Sequence, residues 1–158
     1  VRSPTTTRRP SWLRGVATAA FLVTVPSALW RVLMITGVLP GTAELRSYEL
    51  GDRPAAGYAY VFGLSAVQLA TGFLVTGLAR PWGERVLGRR VPVTPPVVAG
   101  LAGGSAVTYL FDVSMVGQLA QGVRPDQGLV SGAPLALMVA CYLPILAWGP
   151  LTLLATLG

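Results

Sequence analysis

Residues 57–79 read GYAYVFGLSAVQLATGFLVTGLA, twenty-three positions with no charged side chain and a single side-chain amide, Gln68. An α-helix needs about 20 mostly apolar residues to cross a ~30 Å hydrocarbon core, so this run is long enough to span a membrane. Pro54 precedes it and Pro81 follows it, residues that punctuate helices. Working outward, three more runs share its character: Gly15 to Leu39, Val93 to Leu119 and Leu129 to Leu157. Pro40-Gly41, Pro92, Pro95-Pro96 and Pro125 bracket them. Strands are disfavoured, because these runs far exceed strand length and lack sustained alternation. The expected fold class is all-α: an integral membrane protein with four transmembrane helices, near 15–39, 57–79, 93–119 and 129–157, in an antiparallel bundle. Residues 1–10, rich in Thr, Arg and Pro, read as a disordered basic tail. Residues 11–158 read as one four-helix transmembrane domain.

Composition agrees with this reading. Of 158 residues 53% are hydrophobic and 11% charged, against roughly 25% charged in an average soluble domain, and the mean hydropathy is +0.61. The twelve basic residues are all arginine, giving a net charge of +6. Nucleic acid is not expected as a partner, because the charge falls in two short clusters between apolar runs instead of lining one face. There is no histidine and one cysteine, Cys141. Imidazole-ligated haem, His-containing zinc sites and Ser-His or Cys-His catalysis are thereby removed, as is an intramolecular disulfide. No cofactor and no metal is expected.

Arginine placement sets the orientation, since short cytoplasmic loops carry the positive excess. Arg2, Arg8, Arg9 and Arg14 precede the first run, and Arg80, Arg85, Arg89 and Arg90 lie between the second and third. The opposite side has Arg46, Arg53 and Arg124, offset by Glu44, Glu49, Asp52 and Asp126. Both termini are expected in the cytoplasm of a multi-pass plasma-membrane protein, with Trp12 and Trp82 at the cytoplasmic boundary. The Arg8-Arg9 pair before an apolar run also suits a signal peptide. Cleavage after Ala28 would put Pro26 at the third residue before the cut, however, and apolar character resumes beyond Arg31. The first helix is expected to be retained.

Ionisable residues inside a span cost on the order of 2.5 to 3.5 kcal/mol each at the centre, and two occur, Arg31 and Asp112. Counted from the ends of their runs at ~1.5 Å per residue, Arg31 lies ~12 Å deep and Asp112 ~10 Å deep. Matching depth and opposite charge suggest a pair, either a structural tie or the floor of a ligand pocket. Helical spacing adds Tyr109, Thr108 and Ser105 beside Asp112, Ser27 and Thr24 beside Arg31, and Ser65 and Thr71 beside Gln68. The expected ligand pocket is Arg31, Gln68, Tyr109 and Asp112, and the candidate catalytic acids are Asp112, Glu44 and Glu49. Gly100 and Gly104 form a small-residue stripe that lets a second backbone approach, read here as packing within the chain; an oligomer is possible but not indicated. Pro144 is expected to kink the fourth helix, and residues 80–90 to contact anionic lipid.

Residues 26–31 (PSALWR), 57–61 (GYAYV), 80–84 (RPWGE) and 88–92 (GRRVP) resemble a group of small four-helix integral membrane proteins of high-GC actinobacteria, over about the first two thirds of the chain. The resemblance implies the four-helix architecture and no activity. Two functions are compatible with the residues. One is a membrane protein that binds or moves a small amphipathic or cationic compound through a polar pocket near the outer leaflet, with the lipid bilayer and a small lipophilic ligand as its partners. The other is a membrane enzyme acting on an isoprenoid-like substrate by acid catalysis.

The eight-to-three arginine split predicts the topology directly. Reporter fusions after Glu84 and at the C-terminus should read cytoplasmic, and those at Arg53 and Asp126 external; a cytoplasmic signal at Arg53 overturns the orientation.

Overall fold

A computed structural model describes residues 10–80, 85–86, 89–90, 92, 94–124 and 126–158. The tail expected over 1–10 lies, apart from Pro10, outside the described residues, as does Trp82. The helices, in chain order, are α1 (Ser11–Ile35), α2 (Ala43–Leu50), α3 (Pro54–Leu78), α4 (Thr94–Ala120) and α5 (Gly132–Leu157). All but α2 are long and apolar enough to cross a membrane. Between α3 and α4, Arg85–Val86 pairs antiparallel with Arg89–Arg90 as a two-residue ladder.

Helix ends follow local chemistry. Pro54 opens α3 at a position whose N–H has no intrahelical partner. Gly37, with φ of +77°, closes α1, with Gly37 N–H donating to Met34 O and Val38 N–H to Leu33 O. A left-handed residue just past the helix is what lets the chain fold back onto the last carbonyls. Thus α1 runs over Ser11–Ile35, four residues earlier at each end than the apolar run from 15 to 39 suggested.

The α1–α3 interface is a heptad seam. Along one stripe of α1 lie the buried residues Leu13, Ala17, Ala20, Thr24, Ser27, Arg31 and Met34, and along one stripe of α3 and its C-cap lie Val61, Ser65, Gln68, Gly72, Val75 and Ala79; Ala28, Trp30 and Ile35 of α1 and Gly57, Thr76 and Gly77 of α3 are buried beside these stripes. Steps of three and four in turn keep one stripe facing a neighbour along a gently supercoiled pair. Half of these residues are Ala, Ser, Thr or Gly, which in lipid is the means of bringing two backbones together. A methyl on Gly72 would lie 3.1 Å from Thr24 Oγ1. At one end of the seam Leu13, Ala17, Ala20, Val75 and Ala79 cluster with Ala155 of α5. At the other, Trp30 and Met34 cluster with Leu45 of α2 and Val130.

Mid-seam, α1 is interrupted at Val23 and Thr24, dividing it into Ser11–Leu22 and Val25–Ile35. Pro26 causes this, having no N–H to donate to Leu22 O. Across the interruption Gln68 Nε2 donates to Thr24 O and to Ser27 Oγ, both at 2.8 Å, while Ser27 Oγ donates to Thr24 O at 3.2 Å. Thr24 and Ser27 are fully buried.

Two loops are also tied down. Residues 40–56, between the first two apolar runs, contain α2, whose Leu45 is buried; eight residues with one buried apolar position offer too little pattern to read as a helix. Arg46 locks α2 in place, Nε donating to Ile35 O and Nη2 to Tyr58 Oη, each at 2.9 Å. Before α5, Arg124 grips the buried Asp126 with both nitrogens, at 3.0 and 2.7 Å, and donates to Val130 O.

Helices α4 and α5 meet through glycine. Gly100 faces Thr156, Gly149 faces Thr108, and a methyl on Gly104 would fall 2.9 Å from the Leu153 side chain and 3.3 Å from its amide nitrogen. The rest of α4 points outward, with Val98, Tyr109, Leu110 and Val113 all more than half exposed. In α5 the expected disturbance at Pro144 takes the form of a 3₁₀ stretch, Leu143–Ala147. Overpacking a close helix contact costs typically ~1 to 3 kcal/mol. Gly104→Leu should therefore lower the melting temperature in detergent by several degrees, while Val98→Leu leaves it unchanged; equal tolerance at both positions would show that α4 does not pack through this face.

Candidate functional site

Arg31 continues the α1 seam one turn beyond Ser27 and is 8% exposed. Its position is forced by the heptad steps, which carry it to the side of α1 that α5 covers. There Nε donates to Tyr142 Oη at 2.9 Å, and the guanidinium carbon lies 5.5 Å from the Tyr142 ring centroid. Trp30, 3% exposed, packs edge to face on the same ring, with centroids 5.7 Å apart at 78°. Tyr142 is therefore held on two sides by α1. Two donors in this cluster, Arg31 Nη1 and Trp30 Nε1, are buried and meet no acceptor among the described residues. No carboxylate of the described residues pairs with Arg31.

The expected Arg31–Asp112 pair is not formed. Because Gly37 closes α1 early, Arg31 sits four residues from the end of its helix, ~6 Å deep, while Asp112 lies eight from the end of α4, ~12 Å deep. The matched depth disappears. Helix α4 also packs on α5, where Phe111 turns its ring toward Trp148, 6.2 Å between centroids. Asp112 lies in a π-helical stretch, Tyr109–Met115, is half-buried, and has no hydrogen-bond partner among the described residues. Tyr109 is 63% exposed, and Ser105 is exposed too. The four residues expected to share a pocket thus separate: Arg31 and Gln68 lie on the α1–α3 seam, Gln68 bound to Ser27 one turn from Arg31, while Tyr109 and Asp112 lie on α4, Tyr109 exposed and Asp112 half-buried. Thr71, expected beside Gln68, is exposed and donates only to carbonyls of its own helix.

On the loop, Glu44 is exposed and Glu49 half-buried. Among the described residues no three Asp, Glu or Cys side chains come together as a metal site would require. Glu44 and Glu49 lie on α2, and Asp112 lies on α4.

Against the Trp30 side of the cluster lies a groove of about 410 Å³ between α1 and α5, walled by Pro26, Leu29, Trp30, Leu33, Leu137 and Cys141. Its volume falls in the range of small-molecule sites, roughly 300 to 1,000 Å³. The walls are apolar, and the Trp30 indole is the one wall residue with a strong side-chain donor. None of the candidate acids lines it. The half-buried Cys141 thiol is free and forms part of its wall.

Sequence reasoning missed Tyr142. A search for the partner of a buried arginine that weighs only opposite charge passes over a phenol, although Tyr142 is the one tyrosine of α5 and Trp30 precedes Arg31 directly. No family model matches the chain, and no curated protein or solved structure matches it either.

Proposed function

We propose that this small membrane protein is a multi-pass plasma-membrane protein, its four helices antiparallel with both termini in the cytoplasm, that binds or moves a small amphipathic compound in the groove between α1 and α5. The observation that supports this reading is an apolar groove whose wall includes Trp30, with Trp30 Nε1 buried and without an acceptor and, behind it in the same cluster, Arg31 Nη1 likewise unmatched. Leaving a buried donor unmatched costs ~1 to 3 kcal/mol, more for a charged one. A ligand with an apolar body and an accepting oxygen, such as a carbonyl or carboxylate, would recover that cost. The buried guanidinium argues against a cationic ligand, which it would repel. Arg31 and Trp30 sit near the ends of α1 and α3 that join α2, the outer side in this topology, so the ligand enters from the outer leaflet. Acid catalysis on an isoprenoid-like substrate draws no support from the groove, since Asp112, Glu44 and Glu49 do not line it.

Native mass spectrometry of protein gently extracted from its membrane tests the proposal. Wild type should carry a small lipophilic adduct. Cys141→Trp, which fills the groove, should remove it without lowering helix content, and Trp30→Phe should weaken it about tenfold by deleting one neutral hydrogen bond worth ~1.4 kcal/mol. Bare wild-type protein, or an adduct held equally by Cys141→Trp, contradicts the assignment.

A further inference from the structure

At the opposite end of α1 lies a second, more open groove, about 800 Å³, between α1 and the end of α3. Its polar walls are Ser11, Arg14 and Thr18 from α1 and Arg80, which follows α3; Gly15 lies in its floor and Leu22 at its far end. Arg80 Nη2 donates to Thr18 Oγ1 at 3.3 Å, which draws the second guanidinium toward the first. Neither arginine has a carboxylate partner among the described residues, and both are exposed. Two uncompensated guanidiniums and two hydroxyls on one wall are the chemistry that recognises a phosphate group, each guanidinium offering several fixed donors to its oxygens.

The groove is also polarised along the helix. Ser11, Arg14, Gly15 and Thr18 lie in the first two turns, and Leu22, 56% exposed, lies eleven residues, ~16 Å, from Ser11. A molecule laid in it has its head against two arginines and its body against α1's apolar surface. Free phosphate would use the head alone. Gly15 makes room, since a methyl there meets nothing within 4 Å, so the groove floor is backbone where any other residue would raise a side chain. Trp12, 53% exposed and set against Gly158, lies in the same first turn of α1, at the level where indoles prefer the headgroup region.

We infer that the Arg14–Arg80 groove is a binding site for one anionic phospholipid, the phosphate held by Arg14, Arg80 and Thr18 and an acyl chain lying along α1 past Leu22. This site is independent of the α1–α5 groove and of whatever that groove binds. Basic pockets between helices on the cytoplasmic side are the usual setting for such headgroups, which agrees with the orientation read from the arginines.

The test is native mass spectrometry of purified, delipidated protein titrated with phosphatidylglycerol or with phosphatidylcholine of the same acyl chains. Wild type should bind the anionic lipid with a first-site affinity at least about tenfold above the zwitterionic one. Arg14→Gln with Arg80→Gln should lose that preference, a drop of about 25-fold in affinity for the anionic lipid if each arginine contributes roughly fivefold. Gly15→Leu, which fills the floor without changing charge and whose Cβ has open space, should reduce binding of the anionic lipid, whereas Arg53→Gln, at the other end of α3, should leave it at the wild-type value. Equal affinity for the two lipids, or wild-type preference in both the double variant and Gly15→Leu, overturns the inference. A third arm adds inorganic phosphate at millimolar concentration: retention of the lipid adduct supports a lipid site, and its displacement assigns the site to free phosphate and overturns it.

Discussion

Hydrocarbon offers no partner to a backbone polar group, so a helix that breaks inside a membrane leans on its neighbours. Pro26 breaks α1 midway, and Gln68 of α3 bridges the two halves, donating to Thr24 O, which also accepts from Ala28 N–H, and to Ser27 Oγ. That contact needs the two helices close, and the small residues of the seam supply the closeness, with Gly72 directly against Thr24. The register it fixes runs on in both directions. Toward the start of α1 it seats Leu13, Ala17 and Ala20 against Val75 and Ala79. Toward its end it turns Arg31 inward, to the side where α5 passes. The contact of Arg31 with Tyr142 is a consequence of the register fixed one turn away.

The treatment of Arg31 follows from the same constraint. A buried arginine balanced by an acid would form a closed pair, with little left for a ligand. Here Nε bonds a neutral phenol and the ring face lies beside the guanidinium, an arrangement that keeps the charge in place without neutralising it. The protein thereby retains a buried cation behind Trp30, whose indole forms part of the apolar groove wall. Asp112 has the converse position. It sits on a π-helical stretch of the least covered helix, a form of helix common at functional sites, yet it faces away from the seam on which Arg31 and Gln68 lie.

How much of this was legible depended on which physical signal each feature leaves in sequence. Four membrane-length helices were readable from uninterrupted apolar runs bounded by proline and glycine, because bilayer thickness translates directly into residue number. The close contact at Gly100 and Gly104 was readable too, since small residues four apart have few other uses in so apolar a helix. Facing was not. A helix that is apolar all round has no moment to say which side meets a neighbour, so Ser105, Tyr109 and Thr71 were grouped with an interior they do not enter. Depth was misjudged for a local reason: the apolar run continues to Leu39, whereas the helix stops where Gly37 turns left-handed. That four-residue difference is what made Arg31 and Asp112 look level. Tyr142 lay outside an argument framed on charge alone, and α2 outside one framed on long periodic segments.

The central claim is that Gln68 joins α1 to α3 across the Pro26 break. The direct measurement is the thermal unfolding midpoint in mild detergent of Gln68→Leu beside Thr71→Val, whose hydroxyl serves only its own helix. Hydrogen bonds between membrane helices average ~0.6 kcal/mol and reach ~1.7 kcal/mol. The account predicts a loss at the upper end of that range for Gln68→Leu, because two bonds go and Thr24 O loses its closest donor, with no change for Thr71→Val. Wild-type stability in Gln68→Leu would contradict it.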